Sequence, residues 1–111
     1  MNKELKKKYV ELAKIIKALA HPSRIIIVDS LKDHGRCVSE ITDLIGTDTS
    51  TVSKHISVLK NAGLLNSIRK KTNIIYTLRM PCILDFLDCA ETVLENNAQS
   101  QMDIVLSCRR K

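Results

Sequence analysis

A single residue, Thr47, separates Gly46 from the run DTSTVSKHISVLKNAG (48–63), and helical periodicity lies on both sides of that gap. In the run, Val52, Ile56 and Leu59 recur at i, i+4 and i+7, one apolar face of a helix, while Ser50, Thr51, Ser53, Lys54 and Ser57 fall on other faces. Asp48 or Thr49 can cap its start, and Gly63 suits a left-handed residue just past its end. Before the gap, Ser39 is a good cap for a helix from Glu40 to Leu44 or Ile45, ended by Gly46. Two helices joined so closely must turn sharply against each other, which makes 39–62 a helix-turn-helix. The exposed side of the second helix offers short hydroxyls and one cation, with no acidic residue between Thr49 and Gly63. Hydroxyls read base edges or phosphates and lysine neutralises phosphate, so this chemistry suits a DNA major groove. Taken alone, the stretch also reads as an ordinary amphipathic surface helix.

Its neighbours narrow the choice. Leu5, Tyr9, Leu12, Ile16 and Leu19 form a helical stripe over 3–19 beside lysines 3, 6, 7 and 8. His21-Pro22 breaks that helix, and Pro22 suits the first turn of the next, about Pro22 to Asp33, in which Ile25, Ile26, Val28 and Leu31 are expected to be nearly all buried. His21 is expected to pack or cap at the junction. Cys37-Val38 reads as a short extended link. After Gly63 the period changes to two: Ile74, Tyr76 and Leu78 alternate with Ile75, Thr77 and Arg79, and Leu64 to Arg69 is a weaker strand partner. The two strands, within 64–79, close through Arg69-Lys70-Lys71-Thr72-Asn73, a turn expected to use Asn73 or Thr72 because it holds no glycine. From Pro81 a last helix runs through Ile83, Phe86, Leu87, Ala90, Val93 and Leu94 to about Asn97, and the tail 98–111 either extends it or frays. The fold class is mainly α with a small β-hairpin wing: four helices, the hairpin and a closing helix, a winged helix-turn-helix in one domain.

At 111 residues such a domain has a core, yet part of its apolar surface needs a partner subunit, so a dimer is expected. The net charge is +6 and the sequence pI about 9.3, a basic balance that points to a polyanionic partner. Between Asp48 and Arg79 the charges are Lys54, Lys60, Arg69, Lys70, Lys71 and Arg79 against Asp48 alone. A basic hairpin tip after a recognition helix can reach phosphate or the minor groove, with affinity falling steeply with salt through counterion release. The apolar runs are too short for a transmembrane helix, and no secretory core follows the lysine-rich start, so a cytoplasmic protein is expected. No glycine-rich phosphate loop, H-E-x-x-H or nucleophile elbow supports an enzyme. With no tryptophan and one phenylalanine, the chain also lacks the aromatics of a base-stacking single-strand binder.

The segments ALAHPSRIIIVDSL, RCVSEITDLIG, STVSKHISVLKNAGLL and IIYTL resemble, in order and spacing, the ArsR/SmtB family of metal- and metalloid-sensing repressors over about Glu11 to Leu78. The resemblance implies a homodimer held by the first and last helices, 3–19 and 81–97, that binds an inverted-repeat operator in double-stranded DNA and lets go when an inducer binds. The positions matching the family's DNA contacts are Ser50, Thr51, Ser53, Lys54 and His55, with Arg69, Lys70 and Lys71 on the wing. His55 reads equally as a histidine packed on the helix surface.

The inducer site departs from the family pattern. Where arsenic, cadmium and lead sensors carry C-V-C, this chain has Cys37-Val38-Ser39, and the positions of the last-helix zinc site hold Met80, Cys82, Val93 and Asn96. The remaining thiols are Cys37, Cys82, Cys89 and Cys108, whose soft sulfur favours As(III), Sb(III), cadmium or cuprous copper. Cys82 and Cys89 at i, i+7 lie about 10 Å apart on a straight helix, too far for a disulfide and awkward for one small ion. In the first turn after Pro81, Cys82 is the expected reactive thiolate. Cys89 reads as a ligand or as a small buried hydrophobe, Cys37 has a weak H-x-x-C pairing with His34, and Cys108 reads as spare. The competing readings are the same DNA-binding dimer without a metal inducer, and a winged-helix module for protein contacts or an architectural role.

Overall fold

The computed structural model describes residues 1–109. Its elements are α1 (Lys3–Leu19), α2 (Pro22–Ser30), α3 (Val38–Ile45), α4 (Thr49–Asn61), the strands β1 (Leu65–Lys70) and β2 (Asn73–Leu78), and α5 (Ile83–Arg109). This is the expected winged helix-turn-helix order. The chain divides into two units, Met1–Met80 and a second from Pro81 onward.

The core of the first unit lies where α2, α3 and α4 meet. Ile27, Val28, Ile41, Val52 and Leu59 are fully buried there, with Ile56, Leu64 and Leu65 nearly so, and α1 adds only Ala18 and Leu19. The α4 stripe therefore docks as its spacing requires. The α2 stripe does not: Ile27, Val28 and Leu31 are buried, while Ile25 and Ile26 are 40% and 45% exposed. A nine-residue helix packed on one side buries one stripe, here i, i+1 and i+4, and leaves the other isoleucines to solvent. α2 also ends at Ser30, short of Asp33. The Ser30 hydroxyl donates to the Ile27 carbonyl at 2.7 Å, and the Arg36 Nε–H closes the helix end by donating to the Ser30 carbonyl at 2.8 Å.

The start of α3 is a second correction. Cys37, not Ser39, occupies the N-cap position, because the Glu40 carboxylate reaches back to accept the Cys37 N–H at 3.2 Å. Just before it, Arg36 and Tyr76 exchange backbone hydrogen bonds of 3.1 and 2.8 Å, so the link is extended and pairs with β2. Gly35 permits that approach, since a Cβ there would lie 2.6 Å from the Ile75 Cγ2. At the other end of α3, Gly46 is left-handed with φ +79° and its N–H donates to the Thr42 carbonyl at 2.8 Å.

α4 ends in a Schellman arrangement: Leu64 N–H to Leu59 carbonyl and Gly63 N–H to Lys60 carbonyl, both 3.0 Å, with Gly63 at φ +85°. The strands pair antiparallel from Leu65↔Leu78 to Lys70↔Asn73, leaving a two-residue loop of Lys71 and Thr72. Thr72 is in the turn as expected, but Asn73 opens β2, and the left-handed residue is Lys71 at φ +56°. That conformation costs lysine about 1 kcal/mol.

In the second unit, α5 is a single helix through Arg109, so 98–109 extend it. Cys82 precedes the helix instead of lying in its first turn; its carbonyl accepts the N–H groups of Asp85 and Phe86 at 3.1 and 3.4 Å. Cys89 is exposed, not a buried hydrophobe, as are Phe86, Val93 and Leu94. The Cys108 side chain lies outside the described part of the chain. Among the described residues no helix is long and apolar enough to cross a membrane.

Candidate nucleic-acid interface

With Val52, Ile56 and Leu59 turned into the core, helical geometry fixes what α4 shows to solvent. Opposite them runs an exposed ridge of Ser50, Lys54, Ser57 and Asn61 at i, i+4, i+7 and i+11, flanked by Thr51 and Ser53. All six are exposed and none is acidic. Ser57 and Asn61 are not among the positions matched to the family's DNA contacts, and the signal that finds them is the phase of the helix relative to its buried stripe. Asn can pair with both N6 and N7 on the major-groove edge of an adenine, and Ser with either a donor or an acceptor there.

Asp48 starts the helix. Its Oδ2 accepts the Thr51 N–H at 3.0 Å and its Oδ1 accepts the Thr51 hydroxyl at 2.7 Å. These two hydrogen bonds, the side-chain one first, hold the Asp48 carboxyl below its ordinary value. It is a carboxylate at neutral pH.

His55 sits differently from the other matched positions. It is half-buried with its ring centroid 4.4 Å from that of His21, at the junction of α1 and α2. His21 Nδ1 accepts the Ser23 N–H at 3.1 Å, which caps α2 as its position predicts. Nearby, the Arg24 guanidinium donates to the Ala18 carbonyl at 3.2 Å and closes the end of α1. Burial first, and then the charges of His21 and Arg24, pull the His55 pKa below 6.5. The folded chain therefore prefers neutral His55. Its contribution to stability is complete above about pH 6.5 and is lost as the pH falls through the lower folded value. We expect the thermal midpoint to drop between about pH 7.5 and pH 5.5, and His55→Gln to remove a measurable part of that drop. Identical pH slopes for the two proteins would show that the ring is not the responsible group.

The wing joins α4 through Lys60, whose ammonium donates to the Ser67 hydroxyl at 2.7 Å. Lys60 is thus engaged with β1. At the far end of the hairpin Arg69, Lys70 and Lys71 are exposed, and none forms a salt bridge among the described residues.

The described thiols are divided between the two units. Cys37 lies at the start of α3, half-buried, its Sγ 3.1 Å from the Ser39 hydroxyl, in a cleft of about 270 Å³ lined also by Val38, Thr72, Asn73, Ile74 and Tyr76. His34 turns away from it: the His34 Nδ1 lies 2.8 Å from the Gly35 carbonyl. Cys82 and Cys89 belong to the other unit. Among the described residues no group of three or more His, Cys, Asp or Glu side chains is placed to hold a metal ion.

Comparison with known proteins agrees with this architecture. Residues 21–67 match the family model described as bacterial regulatory protein, arsR family. The uncharacterized HTH-type transcriptional regulator Rv0081 of Mycobacterium tuberculosis is 35% identical over 83 residues, 74% of this chain and 73% of that protein. The crystal structure of Rv0081 aligns with a TM-score of 0.76 at 30% identity, covering 92% of this chain and 99% of that one. The HTH-type transcriptional repressor SmtB of M. tuberculosis is 38% identical over 64 residues, 58% of this chain and 47% of that protein. The transcriptional repressor BigR from Xylella fastidiosa aligns with a TM-score of 0.70 at 28% identity, covering 84% of this chain and 96% of that one. With the helix-turn-helix, the basic wing and these relatives together, the chain belongs to the arsR family of bacterial regulatory proteins and is a DNA-binding transcriptional regulator, not an enzyme.

Proposed function

We propose that the chain acts as one winged helix-turn-helix domain, a homodimeric repressor that binds an inverted-repeat operator and is released by a thiophilic metalloid or metal such as As(III), or by thiol oxidation. Each α4 lies in the major groove of one half-site with Ser50, Thr51, Ser53 and Lys54 toward the bases and phosphates. Each wing sets Arg69, Lys70 and Lys71 on flanking phosphate. The observation that carries this reading is the acid-free, exposed outer ridge of α4 above its buried stripe. His55, half-buried against His21, is a junction residue in this scheme and supports the helix's seat from within.

Dimerisation is supported by apolar surface that one protomer leaves uncovered: Leu5, Tyr9, Leu12 and Ile16 on α1, and Phe86, Val93 and Leu94 on α5. Such faces are large for a monomeric surface and suit a subunit contact. Repression is favoured because SmtB and BigR are both described as repressors. Release by a thiol reagent rests on the chemistry of Cys37, Cys82 and Cys89; Cys82, just before α5, is exposed. Among the described residues no group of three or more metal-ligating side chains is placed together, which favours thiol modification over capture of an ion by those residues alone.

The test pairs operator binding with thiol removal. Reduced wild-type protein should release a selected operator duplex on addition of arsenite, cadmium or diamide. A variant with all four cysteines changed to serine should bind as tightly and stay bound. Equal release from both proteins would end the thiol part of the proposal and leave the DNA part standing.

A further inference from the structure

We propose that Asp48 determines which bases Thr51 can read, by holding the Thr51 hydroxyl proton away from the DNA. The inference rests on the DNA-binding reading above and deepens it. An ionised carboxylate can only accept hydrogen bonds, so the 2.7 Å contact between Thr51 Oγ1 and Asp48 Oδ1 has one polarity, with threonine the donor. A charge-assisted bond of that length is among the stronger kinds in a protein. The second carboxylate oxygen takes the Thr51 N–H at 3.0 Å, and the Thr47 hydroxyl donates to the first at 3.4 Å. Both residues are exposed.

What Thr51 can still offer a partner is its oxygen lone pairs and its γ-methyl. In the major groove cytosine N4 and adenine N6 are donors, and thymine presents a methyl; guanine presents only the acceptors N7 and O6. A threonine without a free proton therefore matches cytosine, adenine or thymine and sets lone pair against lone pair at guanine. Asp48 thus restricts a reader it also positions. Sequence inspection marks both residues, one as a cap and one as a contact, but not the bond that converts the second from a two-way hydroxyl into an acceptor.

Asp48→Asn separates these roles. Asparagine caps a helix as well as aspartate does, and its Oδ1 still takes the Thr51 N–H. Its Nδ2 donates to Thr51 Oγ1, so the hydroxyl proton is freed toward the groove, where guanine N7 or O6 can accept it. Selection of bound duplexes from a random pool, at fixed salt, reads the outcome. The wild type should deplete guanine at one symmetry-related position in each half-site, and Asp48→Asn should raise guanine there about three- to tenfold. Thr51→Val, which keeps the methyl and loses the hydroxyl, should retain the thymine preference, lose the cytosine and adenine preference, and abolish any effect of adding Asp48→Asn. If Asp48→Asn does not fold by circular dichroism, the Thr51→Val profile alone decides, and an unchanged base preference overturns the proposal. The same holds if Asp48→Asn selects the wild-type sites, or shifts base choice equally in the Thr51→Val background. A wild type that enriches no sequence at all would instead overturn the operator reading, and this inference with it.

Discussion

The double variant Tyr9→Glu, Ile16→Glu is expected to be a folded monomer that has lost operator binding. Tyr9 and Ile16 lie seven residues apart on one face of α1 and are 51% and 53% exposed in a single protomer, so glutamates there leave the core intact. Glutamate is also a good helix former, and the buried residues Ala18 and Leu19 that seat α1 are untouched. Across a two-fold contact each substitution appears twice, which places like charges in a dehydrated interface. A half-site bound by one recognition helix keeps little of the specific contact energy. The affinity should fall toward the non-specific level, a loss on the order of a thousandfold or more. Sedimentation velocity and a duplex-binding titration read the two effects separately. A variant that sediments as the wild type does would place the subunit contact away from this face of α1.

The helix-turn-helix was legible because every local signal agreed. Asp48, the Val52-Ile56-Leu59 stripe and Gly63 each play the part their residue type suggests, since cap, periodicity and left-handed glycine are local effects. The errors fell where a distant group decides the outcome. Ser39 is the better cap by type, yet the pairing of Arg36 with Tyr76, forty residues away, holds the chain extended up to Cys37, and the Glu40 carboxylate completes the start from inside the helix. Ile25 and Ile26 look like core by composition alone, but which stripe of α2 is buried depends on the helices it meets. His55 is a different case at the interface: its sequence position leaves a DNA contact and a packed histidine equally open, and its neighbour His21 comes from the α1–α2 junction. The strained loop residue Lys71 has no sequence mark, because the two-residue closure is set by the register of the strands.

Changing Arg69, Lys70 and Lys71 together to alanine is expected to weaken operator binding by roughly two to three orders of magnitude near physiological salt while leaving the fold unchanged. All three are exposed, and none forms a salt bridge among the described residues, so their removal costs little stability. Their effect is electrostatic: a dimer carries six such charges, and each that neutralises a phosphate contributes about 0.9 to the slope of log affinity against log salt. The slope should therefore flatten by as much as about five. Lys54→Ala is the useful contrast, because in the proposed complex this lysine on the exposed ridge of α4 faces the bases, and its loss should change sequence preference as well as the slope. Binding isotherms between about 50 and 300 mM salt, on operator and random duplexes, distinguish the two. A wing that touches only phosphate makes the triple variant lose affinity for both duplexes by similar factors. A loss confined to the operator would mean that the wing reads base edges in the minor groove, and no loss on either duplex would remove the wing from the interface.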